Sequence, residues 1–355
     1  MKNHFVVACC CVSLFPAIFG CSLDPEKKLN DAVEQYIEKK PGSLQSLEQQ
    51  FIRAVSVDSV EKTDLHTNGT VLFTKDENSI KTLYTRNCTL TLDDGNEVKY
   101  VDLNNDYAVI GDELRFSLFD GACDHYFDET IGDKKNPIKS LVIDNGDIIY
   151  YKDYRLYRYH IMHRSSEQIL DETFPPPYTN YFTVQLYVKK TVLCVLAGIA
   201  GSYYYSIVNT GTKSVVLKNI NMSSSKHHTG DNAIYYIAGD SGNWNLAQWD
   251  MDKKSKKSLA DFSDLIDIEL TGQGYLWENS AGIWLSEYGK KGTRIPFNYE
   301  LAGKYNDRVL LKYRETYHFI DMKKMIAAIS MLVDKAPELF GSGNKPNTPS
   351  VKQPL

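Results

Sequence analysis

Two hydrophobic periods divide the chain. From about residue 65 to residue 321, short apolar runs alternate with polar positions and are separated by Gly, Asp and Asn turns. This is the period-two pattern of half-buried strands. On either side the spacing is helical. After Pro25, the side chains of Leu29, Ala32, Val33, Tyr36 and Ile37 share one helix face, and Pro41-Gly42 breaks it. Ser43 is placed to cap a second helix with Leu44, Leu47, Phe51, Ile52 and Val55 on one face. Beyond the strands, Met325, Ile326, Ile329, Leu332 and Val333 form another helical face, ended by Ala336-Pro337. Residues 341–355 have the composition of a disordered end.

Within the strand region a unit recurs: an apolar strand, a turn, a second strand rich in Tyr, Trp or Leu, and a polar turn. Leu83, Phe116, Tyr157, Tyr204, Ala247, Trp284 and His318 centre the second strands, 33 to 47 residues apart. That spacing brackets the length of a β-propeller blade. Four units add a polar hairpin after this strand, at Arg164–Glu167, Thr210–Lys213, Asp252–Ser255 and Gly289–Gly292, each leading into a short apolar strand. Three strands per unit with room for a fourth is the makeup of a blade. The expected fold is all-β, a six- or seven-bladed β-propeller over 65–321 with short N- and C-terminal helices. A large β-sandwich or irregular barrel is the alternative. The remaining divisions are 1–20 as signal, 21–64 as anchor and two helices, 322–340 as C-terminal helix and 341–355 as tail.

Composition narrows the partners. The formal charge is −5, with 24 tyrosines. Such mild acidity argues against nucleic acid as a partner. The longest apolar run after the first two dozen residues, Val192 to Ala200, is strand-length and too short to span a bilayer. Three cysteines lie in the body. Cys88 and Cys123 are the candidate disulfide pair in an oxidising compartment, and Cys194 sits in an apolar run that suits a buried thiol.

The N-terminus supplies an address. Lys2 is followed by an uninterrupted apolar run from Phe5 to Gly20, a charged and then a hydrophobic region ending in a small residue, which reads as a secretory signal. Ile18-Phe19-Gly20-Cys21 resembles the lipobox of bacterial lipoproteins. The resemblance implies that the Cys21 thiol receives a diacylglycerol and becomes the mature N-terminus. With Ser22 rather than an acid next to it, it also implies sorting to the outer membrane, facing the periplasm. The plain alternative is an ordinary signal peptide that ends in cysteine.

No catalytic, cofactor or metal set is expected. There is no G-x-S-x-G and no glycine-rich phosphate loop. Asp120, Asp124, His125 and Asp128 are the densest acidic group, but their spacing is not that of a calcium loop, and a solvated turn is expected. His160 and His163 are expected to be solvated strand residues facing opposite sides, and His227-His228 to lie in a mobile loop, Ser223–Gly230. Tyr203, Tyr205, Trp244 and Trp284 are the candidate interaction aromatics, since Tyr and Trp anchor protein interfaces. The reading is a lipid-anchored periplasmic protein-binding module without catalytic activity, either an envelope scaffold or a toxin-neutralising, immunity-type inhibitor. The alternatives are a propeller hydrolase or lyase acting on glycans or small esters, with acids from Asp120, Asp124 or Asp147, and a small-ligand-binding sensor lipoprotein.

Overall fold

Seven four-stranded antiparallel sheets form the body of the protein in the computed structural model, one for each repeated unit. The structure describes residues 25–39, 43–61, 65–67, 71–76, 79–83, 88–91, 98–171, 173, 183–189, 192–199, 202–240 and 242–340. The signal, Cys21 and the tail from residue 341 lie outside them. The chain is a seven-bladed β-propeller. All seven centres picked out by the repeat, Leu83 to His318, fall in the third strand of successive blades. The polar hairpins are the turns into the outer strands. Arg164, Lys213 and Lys254 take positive φ there, as tight turns between twisted strands demand.

Blades 1 to 6 each come from one continuous stretch, and the seventh does not. Its first three strands are Glu300–Tyr305, Arg308–Tyr313 and Thr316–Ile320, while its outer strand is Ser56–Glu61 from the other end of the chain. The sequence places 56–61 in the segment 21–64, anchor and two helices, and not in the strand region. Its burial explains the miss, for Val57 and Asp58 are exposed and only Ser56 and Val60 are half-buried. An edge strand with one wet face carries little apolar signal. Its pairing removes the free edge that Thr316–Ile320 would otherwise present.

The helices close the same seam. α1 (Pro25–Lys39), α2 (Leu44–Val55) and α3 (Met322–Lys335) bury Leu29, Val33, Leu47, Phe51, Met325 and Leu332 in one cluster with apolar side chains of blades 6 and 7. The Phe51 ring lies 5.0 Å from that of Phe297, and the Tyr299 hydroxyl donates to the Glu48 carbonyl at 2.9 Å. Asp321 caps α3 by accepting from the Lys324 N–H. Ser43 precedes α2 without capping it, because its backbone is already helical.

The first strand of each blade faces the central channel, and neighbouring first strands adjoin without forming ladders. Side chains satisfy some of the backbone groups between them. Asp102 of blade 2 accepts from Ile143 N–H of blade 3 at 2.7 Å. Ser140 of blade 3 accepts from Leu186 N–H of blade 4 at 3.1 Å. Thr67 of blade 1 donates to the Lys304 carbonyl of blade 7 at 3.1 Å.

Cys88, beside the outer strand of blade 1, is disulfide-bonded to Cys123 in a turn of blade 2, with Cα atoms 5.6 Å apart and a sequence separation of 35. Cys194 is a buried free thiol. Closing a loop of that length removes denatured-state entropy worth about 3–4 kcal/mol. A Cys88→Ser, Cys123→Ser protein is expected to lose about that much in urea unfolding, and the native protein to fall to the same value in reductant.

Candidate functional site

A cavity of about 600 Å³ opens in the channel where the first strands turn into the second. Five blades line it: Thr67 from blade 1, Gln185–Lys189 from blade 4, Ser225–Thr229 from blade 5, Glu269 from blade 6, and Ala302–Lys304 with Asn306 and Asp307 from blade 7. The His227-His228 pair was expected in a mobile loop. It is instead the inner strand of blade 5, His227–Thr229, paired with Ile234–Tyr236. A channel wall needs no apolar alternation, so the strand is invisible to a hydrophobic pattern.

Lys304 sits at the centre of the wall. Gly303 before it has φ +122°, open to glycine and rarely to other residues, and the pairing with the second strand shifts register between Leu301 and Gly303. Such a bulge re-aims the following side chain. Lys304 Nζ reaches two other blades, donating to the His227 carbonyl at 2.8 Å and the Leu270 carbonyl at 3.1 Å. Burial lowers its pKa, against the pull of Glu269 and Asp307. Lys226 forms an ion pair with Glu269, which is 3% exposed, and lies 3.3 Å from Asp267.

The two histidines are neutral for reasons of place. Burial and then the Lys304 charge hold His227 down to about 3. His228 is held to about 3 by burial, Lys304 and Lys189. His227 Nδ1 faces the Ser225 carbonyl at 2.7 Å and therefore carries the proton, which leaves Nε2 as acceptor for the Tyr187 hydroxyl. That hydroxyl also lies 2.8 Å from Tyr205 Oη, and Tyr205 Oη contacts Thr229 Oγ1. Burial pushes both phenols well up.

The residues singled out in sequence fall elsewhere, with one exception. Tyr205 belongs to this network but is 0% exposed, and Trp284 is 4% exposed with its Nε1 on Asn279 Oδ1 at 3.0 Å. Both fill cores between blades and so present no ring to a partner. Tyr203 and Trp244 are half-buried against similar cores. Asp120 organises its own turn, accepting from Ala122 and Asp124 N–H groups. Asp147 lies apart from it on blade 3, 3.1 Å from His160 Nδ1. These acids do not converge. Among the described residues no group of three or more metal-ligating side chains is found. Sequence reasoning missed Lys304, Glu269 and Tyr187; an isolated Gly in a strand, at Gly303, was the one available signal.

No family model matches the chain, and no curated protein matches it. Among solved structures it is similar to the crystal structure of BamB from Moraxella catarrhalis, at 9% identity over 75% of this chain and 99% of that one, with a TM-score of 0.42. It is similar to the Dos1 propeller at 10% identity over 71% of this chain and 76% of that one, TM-score 0.47. It is also similar to the extracellular domain of the putative one component system BT4673 from B. thetaiotaomicron, at 12% identity over 74% and 38%, TM-score 0.43.

Proposed function

We propose that this chain is an exported, lipid-anchored binding protein of the outer membrane, facing the periplasm, and that it engages a protein partner at the channel mouth without catalysing a reaction. The observation that carries the reading is the state of the groups gathered there. General acid–base chemistry works best with a pKa near the operating pH. His227 and His228 sit at about 3, and Tyr187 is pushed well up. Lys304 holds its protons on two carbonyls. These groups are arranged to present fixed charge and hydrogen bonds. The Cys88–Cys123 bond supports export, since structural disulfides belong to oxidising compartments. Anchoring rests on the lipobox-like Ile18–Cys21, where acyl chains contribute roughly 0.8 kcal/mol per buried methylene.

The test is a crosslinked pull-down of the mature protein from envelopes, with Cys21→Ser as the control for location. One stoichiometric protein partner is expected, and the Cys21→Ser form is expected to leave the membrane fraction. An envelope component would identify a scaffold, and a toxin would identify an immunity-type inhibitor. Recovery without any partner would overturn the protein-binding reading.

A further inference from the structure

The cavity's charges are spent within its own wall. Its volume, about 600 Å³, lies within the roughly 300–1,000 Å³ of small-molecule sites. Lys189, Lys226 and Lys304 line it together with Glu269 and Asp307, and Asp267 stands 3.3 Å from Lys226. Three ammonium groups and three carboxylates cancel, and burial keeps His227 and His228 neutral. Each charge is also engaged. Lys226 pairs with Glu269, Lys304 donates to the His227 and Leu270 carbonyls, and Asp307 accepts from Gly272 N–H at 2.7 Å. Lys189 is engaged as well. An ionised ligand would enter without a counter-charge or take one from an existing partner, and a desolvated charge so placed is unfavourable.

What the wall leaves open to a ligand is neutral. The Gln185 amide of blade 4, the Ser225 hydroxyl of blade 5 and the Asn306 amide of blade 7 line the same space, and none makes a side-chain hydrogen bond among the described residues. Gln185 and Asn306 are exposed, and Ser225 is half-buried. Amides and hydroxyls each donate and accept, as do the hydroxyls around the edge of a sugar ring. Tyr187 adds an apolar surface. Its hydroxyl is spent on His227 and Tyr205, so the half-buried residue turns ring carbon to the cavity. A pyranose offers C–H groups on its face to meet such a ring. The three open groups come from three blades around the channel, which suits a compact ring with hydroxyls on all sides better than an extended peptide. We infer that the channel cavity binds a small neutral saccharide, its hydroxyls on Gln185, Ser225 and Asn306 and its C–H face toward the Tyr187 ring. The inference rests on the reading of the channel mouth as a binding site and gives that site a small ligand of its own.

Calorimetry with the mature protein tests it, using glucose, galactose, N-acetylglucosamine and maltose as neutral probes. Glucuronate and glucosamine serve as the anionic and cationic counterparts, and capped tetraglycine as the peptide. At least one neutral sugar is expected to bind, with both ionised sugars and the peptide at least about tenfold weaker, equivalent to about 1.4 kcal/mol. A Gln185→Ala, Ser225→Ala double variant is expected to lose about tenfold in affinity. No heat from any neutral sugar would overturn the inference, as would equal or tighter binding of an ionised sugar, tighter binding of the peptide, or unchanged affinity in a folded double variant. Should that variant not fold, the neutral-against-ionised comparison on the native protein decides. Sugar binding with no protein partner in the pull-down removes only the protein-binding reading, and a captured partner with no sugar binding removes only this inference.

Discussion

A chain that begins at residue 62 is expected to be recovered mainly as aggregate, whereas one that begins at residue 25 folds. The shorter chain lacks α1, α2 and the outer strand of blade 7. It exposes the edge of Thr316–Ile320 along the register that Ser56–Glu61 occupies. An unpaired strand edge is a template for association. It also uncovers the apolar surface that Leu29, Val33, Leu47, Phe51 and Ile52 cover on blades 6 and 7. A chain beginning at residue 56 separates the two effects, since it keeps the strand and loses the helices. Within the full protein, Phe51→Ala removes a ring that is 0% exposed, and a loss of about 3–5 kcal/mol is expected. Solubility, and thermal unfolding of whatever remains soluble, read both results. A soluble residue-62 chain melting within a few degrees of the native one would show that the seam is not what holds the ring shut.

The second large effect is acid sensitivity. His227 and His228 have folded pKa values depressed to about 3 against an ordinary 6.5. Their neutrality favours the folded state above pH 6.5, and this contribution is lost as pH falls from 6.5 toward 3. The unfolded chain takes up the protons there, at up to about 1.4 kcal/mol per pH unit for each histidine. Asp102 works in the opposite sense. Burial raises its pKa from 3.8 to about 6, so it favours folding when protonated, and that favour fades as pH rises from 3.8 through 6. Glu269 and Glu278, raised chiefly by burial, act with Asp102, and His318, lowered by burial, acts with the other two histidines. Because the depression at His227 and His228 exceeds the rise at Asp102, a net loss is expected on acidification between pH 6 and pH 4. Urea unfolding across this range is expected to show stability falling with pH, and a His227→Gln, His228→Gln double variant is expected to flatten or reverse the slope. An unchanged slope in the double variant would place the acid sensitivity elsewhere.

The repeat was legible because the second and third strands of each blade lie between sheets and must alternate or run apolar. Tyr157, Ala247 and Trp284 therefore mark third strands from sequence alone. The inner strands were not legible. His227–Thr229 and Leu65–Thr67 are three residues long and border a polar channel, so nothing in their composition distinguishes them from turns. The same physics hid the site. Lys304, Glu269, Tyr187 and His227 come from four blades, at positions no spacing rule relates, and only ring closure gathers them. The aromatic residues misled for the converse reason. A Trp or Tyr that anchors an interface and one that fills an inter-blade core read alike in sequence, and Tyr205 and Trp284 are the latter.

The central claim is that this propeller works by binding at its channel mouth. Hydroxyl-radical footprinting of the mature protein, alone and crosslinked to its captured partner, tests it most directly. Protection is expected at Tyr187, His228 and Lys304, around the cavity. Exposed side chains on outer strands and turns, Tyr126, Met162 and Val216, are expected to stay as reactive as in the free protein. Protection of those outer residues, with the mouth unchanged, would contradict the account.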